Sequence, residues 1–196
     1  MNTQPKVSII CPIHDMANGP FFLWRLVNSL TAQTFRDWEL IITKDGRMAE
    51  NTNSGIRRAR GKYVKILYLD DYFTDEFSLE VMVTHAEGSK GEWFICGVNN
   101  NQEPRWTEDI ETGNNKLGSP SALMFRNHFE ENLLFDETMS WLLDADLYKR
   151  MYEKYGYPVI LLGNYLTLGE GDHQMTHLLT PEEKLAEHTY MKQKYE

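Results

Sequence analysis

The chain has 196 residues, 41% of them hydrophobic, enough for one domain with its own core. Its formal net charge of −9 excludes a nonspecific nucleic-acid binder, because such contacts need a cationic surface that releases counterions. No apolar run approaches the about 18 residues needed to span a bilayer, and the first residues lack the apolar segment of a signal peptide, so a soluble, cytoplasmic protein without a transmembrane segment is expected.

Residues 7–11 form a β-branched run that ends at Pro12, the pattern of a strand buried on both faces. Asn18-Gly19-Pro20 is turn chemistry, and Leu23, Leu26, Val27 and Leu30 then recur at helical spacing. A second strand is expected over 38–43, a short helix over 53–60 ended by Gly61, and a third strand over 63–69. Further along, the pattern predicts a helix over 75–87 and a strand over 93–98. The polar stretch 99–119 is long enough for a substrate loop. A strand over 121–126, a helix over 141–155 and a strand over 159–162 follow, and Thr180-Pro181-Glu182-Glu183 opens a terminal helix with acidic residues at its positive end. Cys11 and Cys96 each fall in an apolar strand, so both are expected as reduced core thiols.

Alternating strands and helices imply an α/β fold with a mainly parallel sheet covered on both faces. In such sheets ligands sit beyond the carboxyl ends of the strands. The first strand delivers Pro12, His14 and Asp15 to that edge, the second Lys44, Asp45 and Arg47, and the third Asp70 and Asp71. An acidic protein that holds an anionic ligand there needs a metal ion or a few local cations.

Three segments carry a family resemblance: Val-Ser-Ile-Ile-Cys-Pro-Ile-His-Asp at 7–15, Leu-Thr-Ala-Gln-Thr-Phe-Arg-Asp-Trp-Glu-Leu-Ile-Ile at 30–42, and Asn-Ser-Gly-Ile-Arg-Arg-Ala-Arg-Gly-Lys-Tyr-Val at 53–64. Their order and spacing resemble the family 2 glycosyltransferases, over about residues 7–176. The resemblance implies the GT-A fold, Rossmann-like, in a single domain over 1–196. Its nucleotide-binding part would be about 5–98 and its acceptor and catalytic part about 99–180, with a C-terminal helix at about 181–196. The implied activity is inverting transfer of a sugar from a nucleoside diphosphate sugar, a UDP-sugar in particular, to a hydroxyl on a glycan or glycoconjugate, in polysaccharide biosynthesis. A divalent cation, Mn2+ or Mg2+, would assist. A homo-oligomer is also compatible with this reading.

The family's Asp-x-Asp metal motif matches Tyr68-Leu69-Asp70, so the first carboxylate is a tyrosine and the metal-contacting position is kept as Asp70. Asp71 is expected at the donor sugar or on backbone amides of the next turn. Of the two acidic positions after the second strand, the base-reading one is Lys44, whose ammonium has only donors to offer a uracil ring N–H. Either Asp45 substitutes, or the base is read through backbone, or the nucleotide is not the usual uridine; Pro12, His14, Asp45, Arg47, Asn53 and Asp70 are the expected nucleotide contacts. His14 would replace a stacking tyrosine or is an ordinary loop residue, and Arg47 taken alone is a surface residue.

The segment Gly-Ser-Pro-Ser-Ala-Leu-Met-Phe-Arg at 118–126 resembles the donor and acceptor turn, with Ser119, Pro120 and Ser121 near the sugars. Phe135-Asp136-Glu137, followed by Trp141-Leu-Leu-Asp-Ala-Asp-Leu-Tyr148, resembles the element that carries the catalytic base. Asp144 and Asp146 lie about 200° apart on a helix and cannot face one site. Asp146 has Arg150 at i+4 and reads as a surface ion pair. Asp144 matches the base and, near the helix start, would be kept ionised by the dipole. His173 reads either as a metal ligand or as a surface or supporting residue. The competing reading is a catalytically weakened sugar-nucleotide or glycan-binding module, favoured by Tyr68 and Lys44.

Overall fold

The computed structural model describes residues 4–99, 103–171 and 174–196. A seven-stranded sheet has the order β2-β1-β3-β6-β5-β7-β4, formed by β1 (Val7–Pro12), β2 (Trp38–Thr43), β3 (Tyr63–Ile66), β4 (Tyr72–Phe73), β5 (Trp93–Val98), β6 (Leu123–Arg126) and β7 (Val159–Thr167). Strands β1, β2 and β3 run parallel, as do β5 and β7, while β6 is antiparallel to both β3 and β5, and β4 is antiparallel to β7. The strands other than β6 and β4 therefore share one direction. This is the expected mainly parallel α/β architecture.

Both β1 and β5 are buried at every position, which is why their sequences are continuous apolar runs rather than alternating ones. Cys11 and Cys96 lie in these strands as buried free thiols, as expected. The helices are α1 (Gly19–Thr31), α2 (Met48–Arg58), α3 (Ser78–Gly88), α4 (Leu143–Tyr155), the single turn α5 (Met175–Leu178) and α6 (Pro181–Tyr195). Helix α2 packs on β1 and β2, α1 on β4, and α3 on β7. Gly55 permits the first of these contacts, because a Cβ there would overlap the Ile10 side chain. No helix among the described residues is long and apolar enough to cross a membrane.

The expected elements are all present, with boundaries shifted for identifiable reasons. Strand β3 stops at Ile66 because the chain bends into a turn closed by Asp71 N–H donating to Tyr68 O at 3.0 Å. Helix α2 begins five residues before the expected start: Glu50 accepts from the Arg47 backbone N–H at 2.7 Å, a cap made without the usual Ser, Thr, Asp or Asn at the first position. Asp75 closes a turn ahead of α3, accepting from Phe77 N–H at 2.8 Å and the Ser78 hydroxyl at 3.1 Å. Strand β7 continues beyond residue 162 through an irregularity at Gly163, whose φ is 126°. Strand β4 is an edge pairing too short to show a pattern.

Helix α6 packs on its own chain. Met191 is buried, the Lys194 ammonium reaches Asp136 and Asp146 at 2.7 Å each, and the Tyr195 hydroxyl donates to Asp146 at 2.7 Å. Asp146 forms the expected pair with Arg150 at 2.6 Å, but it is fully buried rather than a surface residue. Its remaining acceptor capacity goes to α6, as a buried carboxylate requires.

Candidate active site

A cavity of about 480 Å³ opens at the carboxyl ends of β1 and β3, where such sheets bind ligands. Because β6 runs the opposite way, the turn that precedes it, with Ser119 and Pro120, arrives at the same edge. The β3–β4 turn supplies Tyr68, Asp70 and Asp71; the start of α2 supplies Arg47, Met48 and Asn51; the start of α4 supplies Ser140, Trp141 and Asp144. Leu168 and Gly169 after β7, together with the segment 174–178, line the remaining side.

Asp71 is buried and accepts the Gly169 backbone N–H at 2.8 Å. Burial, joined by the negative charge of Asp70, pushes its carboxyl up to about 7. Ser121 and Lys65 oppose that rise. Gly169 lies so close that a Cβ would come within 2.6 Å of the Asp70 backbone oxygen and a carboxylate oxygen, so only glycine lets the segment after β7 cross the acidic turn. Below the turn, the buried Lys65 ammonium donates to the carbonyls of Ser121 and, at 3.0 Å, Ile66, and the Ser121 hydroxyl accepts the Tyr68 N–H at 2.9 Å. Burial pulls the Lys65 ammonium down to about 8.

Asp144 stands across the cavity. Burial pushes its carboxyl up to about 6, against the Ala145 N–H at 2.7 Å and the Asn115 side-chain amide at 2.9 Å, which both favour the charged form. Its position at the helix start therefore does not keep it at an ordinary carboxylate value: desolvation outweighs the local donors. The value still leaves it largely ionised at neutral pH, near the optimum for a general base.

Of the residues expected at the site, His14, Arg47, Asp70, Asp71, Ser119, Pro120 and Asp144 line this cavity. Pro12, Asp45, Asn53 and Ser121 do not. Pro12 is buried at the end of β1, and Ser121 lies beneath the floor. Asp45 is exposed and accepts from the Ser54 hydroxyl at 2.6 Å. The Asn53 side chain is a clamp on the 135–137 segment, donating to Phe135 O and Glu137 Oε1 at 2.9 Å each and accepting Phe135 N–H at 2.8 Å. The early start of α2 explains this placement, since it puts residue 53 in the second turn. Asn51 faces the cavity instead, fixed by bonds to Ile13 O at 2.8 Å and Asp45 N–H at 2.9 Å. Lys44 is paired with Asp15 at 2.7 Å on the exposed side. His173 lies outside the described residues. Among the described residues, no group of three or more His, Cys, Asp or Glu is arranged to hold a metal ion.

No family model matches the sequence. An uncharacterized glycosyltransferase of Rickettsia prowazekii (strain Madrid E) is 25% identical over a region covering 48% of this chain and 36% of that protein. Among solved structures, S. aureus TarS 1-349 in complex with UDP-GlcNAc superposes with a TM-score of 0.71 at 16% identity, covering 95% of this chain and 65% of that one. The mannosyltransferase PcManGT from Pyrobaculum calidifontis in complex with GDP-Man and Mn2+ gives 0.70 at 12% identity, covering 100% of this chain and 66% of that one. The fold is the one these glycosyltransferases share. The chain spans about a third of the curated relative's length and just under two thirds of each structural neighbour's.

Proposed function

We propose that this chain is a glycosyltransferase domain of the GT-A type that moves a sugar from a nucleoside diphosphate sugar to a hydroxyl acceptor with inversion. The observation that carries the reading is the arrangement of one cavity, with the acidic pair Asp70 and Asp71 on one side and Asp144, raised to about 6, on another. The shared fold supports it, as do the ligands bound in the neighbours, UDP-GlcNAc in one and GDP-Man with Mn2+ in the other.

In this reading Asp144 accepts the proton of the acceptor hydroxyl as that oxygen attacks the anomeric carbon from the face opposite the diphosphate. The proton ends on Asp144 and the diphosphate leaves with the electron pair of the broken bond. Arg47, exposed at the start of α2, is a cation of the cavity lining available to the diphosphate, and Ser119 and Pro120 border the sugars. The donor set fits a hard divalent cation in kind, because two adjacent carboxyls, Asp71 raised by burial and further by the charge of Asp70, bring oxygen ligands to the cavity. Asp70 would hold the ion with support from Asp71, and the chemistry it supplies is charge neutralisation on the departing diphosphate.

Tyr68 at the first carboxylate position favours a second reading, a module that binds sugar nucleotides without turning them over. One experiment separates the two. Nucleoside diphosphates are screened by thermal shift with and without Mn2+, and donor turnover is then measured with the best of them. Manganese-dependent binding with turnover supports the enzyme, binding without turnover supports the module, and no binding by any nucleotide overturns both.

A further inference from the structure

The start of α4 has no side-chain cap of its own: Leu142 occupies the cap position, and the local sequence offers no Ser, Thr or Asn there. An acceptor for the residues that lead into it comes from α6. Glu187 Oε1 accepts the Ser140 N–H at 2.7 Å and the Trp141 N–H at 3.2 Å, while Oε2 accepts the Trp141 N–H at 2.9 Å and the Leu142 N–H at 2.8 Å. Three successive backbone N–H groups thus converge on one carboxylate, an anion nest at the positive end of a helix. The residues so held include Ser140 and Trp141, both at the cavity, and the first turn of the same helix bears Asp144. His188 and Lys184 of α6 pack against the Trp141 ring at 5.2 and 5.4 Å. Farther along α6, Tyr190 and Lys194 hold Asp136, and Lys194 and Tyr195 hold Asp146.

We propose that Glu187 is a positioning residue for Asp144: from α6 it closes the amino end of α4 and fixes Ser140, Trp141 and Asp144 against the cavity. The inference rests on the glycosyltransferase reading for the word positioning, but the coupling of α6 to Asp144 stands on geometry alone. A cap drawn from a separate helix makes the base's placement depend on whether α6 is docked, so the C-terminal helix is part of the site without lining it. The groups that act electrostatically on Asp144 are Glu187 from α6, Asn115 from the loop before β6, and its own N-terminal amides; Tyr68 and Tyr148 feel its charge from the β3–β4 turn and from α4. The Glu187 charge opposes ionisation of Asp144.

The test titrates Asp144 in the whole chain by carboxyl-carbon NMR, which needs no substrate, alongside turnover of a nucleoside diphosphate sugar. Glu187→Gln keeps one acceptor oxygen and removes the charge. Asp144 is expected to titrate at lower pH, and turnover at the plateau to fall roughly tenfold to a hundredfold as the start of α4 loosens. Lys192→Met, which removes an exposed charge of α6 that pairs with Glu196, serves as the control and leaves the titration of Asp144 in place. Glu187→Asp keeps the charge on a shorter arm, and there turnover falls while the titration stays near wild type. An Asp144 titration unmoved by Glu187→Gln, an equal displacement in Lys192→Met, or wild-type turnover in both Glu187 variants overturns the proposal. A displaced titration in a protein that turns over no donor sustains the coupling and defeats the glycosyltransferase reading instead.

Discussion

Replacing Asp144 by Asn removes the proposed base and, at neutral pH, makes the protein more stable. The carboxyl rises from its ordinary 3.8 to about 6 in the folded chain, so folding favours the protonated form. A carboxyl raised in this way costs nothing below the unfolded value, because it is neutral in both states. The cost grows as pH climbs through about 4 to 6 and is complete above that window. A displacement of about two pH units corresponds to about 3 kcal/mol at most, and water reaching the cavity lowers this to about 1–3 kcal/mol. Asparagine's single oxygen keeps the Ala145 N–H bond, while the Asn115 amide loses the second carboxylate oxygen but retains Gly118 O at 3.0 Å, a loss of about 1 kcal/mol that places the gain toward the lower end of that range. For a chain of 196 residues the gain converts to a melting point about 3–9 °C higher at pH 7.5. Thermal denaturation of both proteins at about pH 7.5 and about pH 4.5 checks this, with donor turnover measured in parallel. The expected result is a gain at the higher pH that shrinks at the lower, together with loss of transfer. A destabilised Asn variant at pH 7.5, a gain of equal size at both pH values, or full turnover refutes the reasoning.

The acidic turn and its supports give three further expectations. Asp70→Ala removes the Mn2+ dependence of donor binding measured by calorimetry, and an unchanged affinity with and without the ion rules out the ligand assignment. Gly169→Ala forces the segment after β7 away from the Asp70 backbone, and turnover is expected to fall roughly a hundredfold with far-UV circular dichroism preserved; near-normal kinetics contradict the close approach. Asn53→Ala leaves Phe135 N–H and O without their partners and destabilises the chain by about 1–3 kcal/mol in urea, with donor affinity nearly unaltered. A large affinity loss with normal stability returns Asn53 to the nucleotide contacts.

Much of the architecture is legible in the sequence because both-face burial leaves continuous apolar runs, as at 7–11 and 93–98, and because helix α6 announces itself through Thr180, Pro181 and Glu183. The cavity is legible to the extent that strand ends identify it: His14, Asp70 and Asp71 follow directly from where β1 and β3 stop. Other features lie beyond local pattern. An arginine-headed cap hides the start of α2, which transfers the cavity position from Asn53 to Asn51. The burial of Asp146 depends on Lys194 and Tyr195, nearly fifty residues away, which no i+4 spacing reveals. The same holds for Glu187, whose partners are backbone amides at 140–142 rather than side chains with a signature of their own.

The reversed direction of β6 has a consequence for how such a site changes. Strand β5 ends at the cavity edge and β6 begins there, so the chain between them leaves that edge and comes back to it. Residues inserted or removed within this excursion alter the roof over Asp144, through Asn115 and Ser119, without sliding any strand against its neighbour. On the glycosyltransferase reading, acceptor preference can therefore drift through the length of one loop while the register that holds Asp70 and Asp71 stays fixed.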